Sequence, residues 1–418
     1  MTAGEPLEDD HDPFALFDTS TGSGIVRDPY PVFAELRREC PVFKGPLGER
    51  FGLPTPESMI SQSGDYYTAL SYEAVQRVLL DGDTFSSSGY APTVGMVMGH
   101  SILEMDEPEH GRYRALLQQA FSIKAMERWE HTIVAPIVQG RIDAFSSRGH
   151  ADLVRELTLP FPIEVIALML GLATEDLPRF HRWAVELISI TVDIARGFAA
   201  SQCLRDYFAE ILAVRRSAPR DDLISVLATA ELDGQRLTDE EIFAFLRLLL
   251  PAGAETTYRS SSNLLLGLLT HPEQLDALRR DRALMKRAIE EALRWEAPLT
   301  GIARLAMRDT ELAGVPIPKG AVIGVCLGAA NRDESRWEQP DEFDIFREPK
   351  PHLAFAYGAH TCLGMHLARM ETRVVVNGLL DRLPDLRLDA AADDVHITGL
   401  AFRAPRTLPV VFGPSPAG

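Results

Sequence analysis

From Glu107 to about Gly301 the apolar positions follow a helical period almost throughout. The longest run begins after Thr238 or Asp239, either of which can cap a helix, and continues through Phe243, Leu246 and Leu249 to Leu269. Pro272 opens the next helix. Pro251 falls inside the long run, where it removes a backbone donor and is expected to kink the helix. Earlier in the chain, residues 31–39 and 71–80 predict short helices and Tyr66 to Leu70 a strand. Residues 84–101 are rich in Ser, Gly and Met and carry no period, so a long loop is expected there, of the kind that is functional or mobile. From Ile302 to Val325, Gly314, Pro316, Pro318 and Gly320 punctuate short β-like runs. Residues 331–361 read as irregular, and a last amphipathic helix runs from about Leu363 to Leu383. The pattern predicts a mainly α protein with small β-sheets (α+β), without alternating βα units.

No linker-like stretch and no internal repeat divides the 418 residues, so one domain is expected over 1–418, with 1–13 and 414–418 flexible. The two most apolar stretches are interrupted by Glu164 and Arg247, which leaves no run of ~20 apolar residues to span a membrane. The acidic amino terminus does not read as a signal peptide, and the expected location is the cytoplasm. A net charge of −18 argues against a broad nucleic-acid surface. Zinc-hydrolase, nucleophile-elbow and phosphate-loop motifs are missing from the sequence. Of the four cysteines, Cys40, Cys203 and Cys326 sit in ordinary apolar settings and none forms a CxxC pair.

Cys362 stands apart. It lies in Phe355-Ala356-Tyr357-Gly358-Ala359-His360-Thr361-Cys362-Leu363-Gly364, at the entrance of the last helix. A helix amino terminus offers free amides and partial positive charge, which lower a thiol's pKa. Gly358 and Gly364 allow a tight loop and close approach of a flat partner. Spacing alone leaves two readings, a buried cysteine capping a helix and a thiolate ligand. The segment resembles the haem-binding loop of the cytochrome P-450 family, with Phe355, Gly358, His360, Cys362 and Gly364 in matching places; Ala356 departs from the usual Gly or Ser. The resemblance spans about Asp28 to Val411. It implies the family's fold, with a long central helix over the haem, and iron protoporphyrin IX (haem b) bound through Cys362. A thiolate ligand favours O–O cleavage.

Other segments carry the same resemblance. Glu291 and Arg294, three apart on one helix face, read by themselves as a surface ion pair. They resemble the family's Glu-x-x-Arg pair, with Arg347 as its third, structural member. His110 and Arg114, four apart, resemble the propionate-binding helix, and Arg304 and His360 match further propionate-binding positions. Ala252-Gly253-Ala254-Glu255-Thr256-Thr257 places a glycine and two β-branched residues mid-helix, against local helix preference. It is similar to the oxygen-activating segment: Gly253 would allow close approach over the haem, Thr256 would hydrogen-bond oxygen or a water, and Glu255 would relay protons.

Family substrate positions fall on Leu248, Pro251, Ala252, Thr300, Ile302 and Ala303, on loop 86–100, and on Leu400 and Ala401, which together imply a dry apolar pocket. The implied activity is monooxygenation of a small apolar substrate with O2 by hydroxylation or epoxidation. Phenol coupling, desaturation and a non-catalytic haem sensor or carrier are the alternatives. Electrons from NAD(P)H would arrive indirectly, through a reductase and a ferredoxin or flavodoxin. Arg347, Lys350, Arg369 and Arg373, set against Glu348 and Glu371, suggest a basic docking patch for such an acidic partner.

Overall fold

The computed structural model describes residues 18–19, 22–53, 64–188 and 193–413. The ends expected to be flexible, 1–13 and 414–418, lie outside the described residues. The longer helices are α1 (Tyr30–Glu39), α2 (Tyr72–Leu80), α3 (Glu109–Gln118), α4 (Ala135–Ser146), α5 (Phe161–Met169), α6 (Leu177–Ile188), α7 (Ile194–Ser217), α8 (Asp239–Thr270), α9 (Pro272–Arg280), α10 (Met285–Trp295) and α11 (Met365–Arg382). The expected mainly α character is what the chain adopts.

Helix α8 is the axis of the fold. Thr238 caps it: its hydroxyl accepts from the Glu241 amide at 3.2 Å, while the Glu241 carboxylate accepts from the Thr238 amide at 2.7 Å. The helix runs past Pro251 as one continuous element and stops at His271, where Pro272 starts α9. Leu246, Leu250, Leu264 and Leu268 of α8 are fully buried, in one cluster with Phe161, Phe208 and Leu379. Each such side chain contributes about 2 kcal/mol of burial at most, and that, rather than local propensity, holds a helix carrying a mid-helix proline and glycine.

A five-stranded sheet stands beside the helices, in the order β1 (Val42–Lys44), β2 (Tyr66–Ala69), β5 (Val322–Cys326), β4 (Gly301–Ala306), β3 (Phe85–Ser86). β2 and β5 are parallel and the other pairs antiparallel. Its register sets Arg304 opposite Ile323, so one arginine is carried by a rigid strand. Short strand pairs also punctuate the region read as helical: His150–Asp152 pairs with Pro409–Val411, and Glu231–Leu232 with Gln235–Arg236.

Residues 84–101 correct the expectation of a loop. They form β3, a 3₁₀ turn (Ser88–Tyr90), a π turn (Ala91–Gly95) and a short helix (Met96–Met98). Pro92 presets the backbone at the start of the π turn. Asp106 ties the segment down by accepting from the Ser87 amide at 2.9 Å and from the Ser86 hydroxyl. Polar bonds to a residue some 20 positions on, invisible to hydrophobic periodicity, make this order.

Candidate active site

The cysteine loop closes on itself. The Cys362 amide donates to the Phe355 carbonyl at 2.9 Å, and Thr361 donates to the Gly358 carbonyl from its amide at 3.1 Å and its hydroxyl at 2.8 Å. Ala356 sits at φ +57° and Gly358 at +77°. A Cβ on Gly358 would lie 2.7 Å from the Leu79 carbonyl of α2, so glycine is required there twice over. Gly364 has an ordinary φ of −85° and no protein atom within 4 Å of an added Cβ. Phe355 lies against Arg369, 4.5 Å from ring centre to guanidinium. Arg369 and His352 both bond Glu290; burial alone would raise that carboxyl, but these two partners hold it at about 2.

Cys362 itself corrects an expectation. Cys362 is exposed, and partial desolvation by the surrounding loop acts to push its thiol up. The Gly364 amide and the charges of Arg114 and Arg369 act in the opposite sense.

Four basic side chains converge nearby. His110 and His360 stack with ring centres 4.0 Å apart. Burial, and then the charges of Arg304, His110 and Arg114, lower His360 to about 3. Its Nε2 is 3.1 Å from the Ser87 hydroxyl. Arg304 is buried, donates to its neighbour's carbonyl, Ala303 O, at 2.8 Å, and shares a side-chain hydrogen bond with Tyr90; burial lowers it. Burial lowers Arg114, and Cys362 acts to raise it. His110 Nδ1 contacts Glu107 at 3.2 Å, while its Nε2 is buried without a partner. Two guanidinium groups and two imidazole rings, one with an orphaned ring nitrogen, make a donor set that fits two carboxylates, such as the propionates of a haem held through Cys362.

Along α8, Ala252 is exposed and Thr256 half-buried within a helix otherwise mostly buried. The Thr256 hydroxyl donates to the Ala252 carbonyl at 2.7 Å. Glu255 is buried, accepts from Arg259 at 3.0 Å, and burial raises its carboxyl. Glu255, Tyr258 and Arg259 line a cavity of about 100 Å³ with Asp18, Ser23 and Arg406. Gly253 corrects its expected role over a haem: a Cβ built there would lie 2.8 Å from Ile166 of α5, so the glycine lets two helices approach. Leu248 is partly buried against the main core and Ile302 against the cluster beneath the sheet. The Ala303 amide donates to the Tyr90 hydroxyl at 2.8 Å. Thr300 departs from its expected place in the pocket wall. It is buried, and its hydroxyl donates to the Leu400 carbonyl at 2.5 Å, tying the late hairpin to β4.

Glu291 accepts from Arg294 Nε and Nη2, each at 2.8 Å, from Arg347 Nε at 3.1 Å and from the Asp344 amide at 3.0 Å. The expected basic docking patch is largely compensated. Arg347 pairs with Glu291, Arg369 with Glu290 and Arg373 with Glu130. Glu371, counted there as surface charge, is buried. Sequence reading missed Ser87, Tyr90 and His352, whose roles depend on contacts with residues 273, 213 and 62 positions away.

Comparison with known proteins sets this geometry in a class of enzyme. The sequence model described as cytochrome P-450 matches residues 188–384. The cytochrome P-450 monooxygenase PikC of Streptomyces venezuelae is 34% identical over 93% of this chain and 92% of its own. A steroid C26-monooxygenase of Mycobacterium tuberculosis (strain ATCC 25618 / H37Rv) is 37% identical over 83% and 89%. The structure of CYP109Q5 from Chondromyces apiculatus superposes with a TM-score of 0.83 at 36% identity, covering 95% of this chain and 98% of that one. The chain belongs to the cytochrome P-450 family and is a P-450 monooxygenase, an enzyme class that uses haem and O2 and draws on a redox partner. No helix among the described residues is long and apolar enough to cross a membrane.

Proposed function

We propose that the chain is a single haem-thiolate domain that inserts one oxygen atom into an apolar organic molecule: RH + O2 + 2e⁻ + 2H⁺ gives ROH + H2O. Cys362 holds the iron of haem b. His110, Arg114, Arg304 and His360 bind the propionates, and Phe355 and Gly364 border the ring. The observation that carries this is the set of donors from Arg114, Arg304, His360 and the partnerless His110 Nε2, next to the Cys362 loop. Bound haem supplies oxygen activation. The protein supplies protons: Glu255, buried at the wall of a cavity that Asp18, Arg259 and Arg406 also line, passes them toward Thr256. Glu291, Arg294 and Arg347 hold the haem side of the fold.

Leu248, Ala252, Ile302 and Ala303 form the substrate side, with Thr300 behind them. Among relatives of known structure, CYP109E1 from Bacillus megaterium binds testosterone, which accords with an elongated apolar ligand. Electrons come from NAD(P)H through a reductase and a ferredoxin or flavodoxin, and the enzyme works in the cytoplasm. The test is Thr256→Ala. It should keep its haem while diverting reducing equivalents from product to hydrogen peroxide, read as the ratio of product to NAD(P)H consumed. Unchanged coupling would remove Thr256 from proton delivery.

A further inference from the structure

Eight arginines are buried among the described residues: Arg37, Arg215, Arg247, Arg259, Arg294, Arg304, Arg332 and Arg403. Six of them face a carboxylate within ion-pair distance. The two that do not are Arg304 and Arg247. Arg304 already has an anion assigned to it, a haem propionate. Arg247 has none.

Arg247 lies on α8, directly before Leu248, and is 7% exposed. Its Nε donates to the Phe243 carbonyl at 3.2 Å, and its Nη1 to the Val97 carbonyl at 3.5 Å and the Ser201 hydroxyl at 2.9 Å. All three acceptors are neutral. The charged groups that act on it, Glu240 and Arg205, are bonded to each other. A guanidinium keeps its proton in a protein, and a buried charge without a counter-charge is costly. The surroundings also make room for it. Residue 99 is glycine at φ +87°, and a Cβ there would lie 2.8 Å from Nη2. Val97 and Gly99 belong to the ordered segment 84–101, Ser201 to α7, and the next residue along α8 begins the Leu248–Ala252–Thr256 stripe.

We propose that Arg247 is an anion anchor in the substrate pocket, and that the substrate is an elongated apolar molecule with a carboxylate remote from the carbon oxidised. This rests on the reading that oxidation occurs between Thr256 and Cys362. Nine residues separate Arg247 from Thr256, about 13 Å along a helix, which an extended chain of roughly ten carbons would bridge.

The test uses the haem-loaded enzyme. The ferric Soret band is titrated with the saturated acids from decanoic to hexadecanoic and with the methyl ester of each. The acid should bind roughly ten- to a hundred-fold more tightly than its ester, the range expected of a charge-assisted pair. Arg247→Gln should abolish that preference and leave ester affinity unchanged. Ser201→Ala, which removes a neutral acceptor and keeps the charge, should retain it. Equal affinities of acid and ester in the wild type overturn the proposal without any variant, and so does an acid preference that survives in Arg247→Gln. A wild type that gives no red-shifted Soret band with carbon monoxide would instead strike the Cys362 assignment.

Discussion

Replacing Glu291 by Gln tests how the haem side of the fold is held. Glu291 accepts four hydrogen bonds, three of them from the guanidinium groups of Arg294 and Arg347. The side chains of Glu291 and Arg294 are 5% and 2% exposed and that of Arg347 14%. The amide keeps the volume but not the charge, and one of its two ends now presents donors to donors. Breaking a buried ion pair in this way costs about 3–5 kcal/mol, because the surviving charges stay buried. At about 2 cal/mol/K per residue, the unfolding entropy of a chain this long is roughly 0.9 kcal/mol/K, so the melting temperature should fall by about 3–6 °C. Thermal unfolding followed by far-ultraviolet circular dichroism, with the Soret band recorded in parallel, reads both fold and haem. Asp394→Asn is the control, since the Arg27–Asp394 pair is more than half exposed on both sides and should not change the midpoint. A Glu291→Gln protein that melts within 1 °C of wild type would refute the idea that the trio holds this region.

Two further substitutions follow from the geometry. Gly358→Ala should cost about 1–2 kcal/mol through its positive φ alone and push the loop off the Leu79 carbonyl, lowering the haem-to-protein ratio after gel filtration; full haem retention would show that the loop has slack. Burial pushes Glu371, bonded to Thr257, up to about 8 from an ordinary value of 4.5. Between those values the unfolded chain releases a proton that the folded chain keeps. Stability should therefore fall as pH rises through the window, and Glu371→Gln should remove that slope from a plot of melting temperature against pH. Parallel curves for the two proteins would contradict it.

Long-range architecture was legible where one residue type has one strong local consequence. The Thr238 cap, the Pro272 start and the Gly and Pro punctuation from 302 to 325 all mark real boundaries. The Glu291, Arg294 and Arg347 grouping could be stated from resemblance, and the structure brings the three together. What the sequence hid depends on partners far along the chain. Thr300 reads as a pocket residue until the Leu400 carbonyl claims its hydroxyl. The basic residues around Cys362 read as a patch until Glu290, Glu291 and Glu130 neutralise them. Ser87 and Asp106 look like loop filler until they order segment 84–101. Arg247 counts, in sequence, only as a charge interrupting an apolar run, and its lack of a carboxylate emerges from the packing. At Cys362 a helix entrance argues for a lowered thiol, whereas desolvation, which the sequence pattern does not display, acts to raise it.

The most direct measurement is the difference spectrum of the reduced protein with and without carbon monoxide, taken for the wild type and for Cys362→Ala. Ligation by the Cys362 thiolate predicts a strongly red-shifted Soret band in the wild type that is lost in the variant. An unshifted band in the wild type, or a red-shifted one that persists in Cys362→Ala, would contradict the assignment on which the account of this site rests.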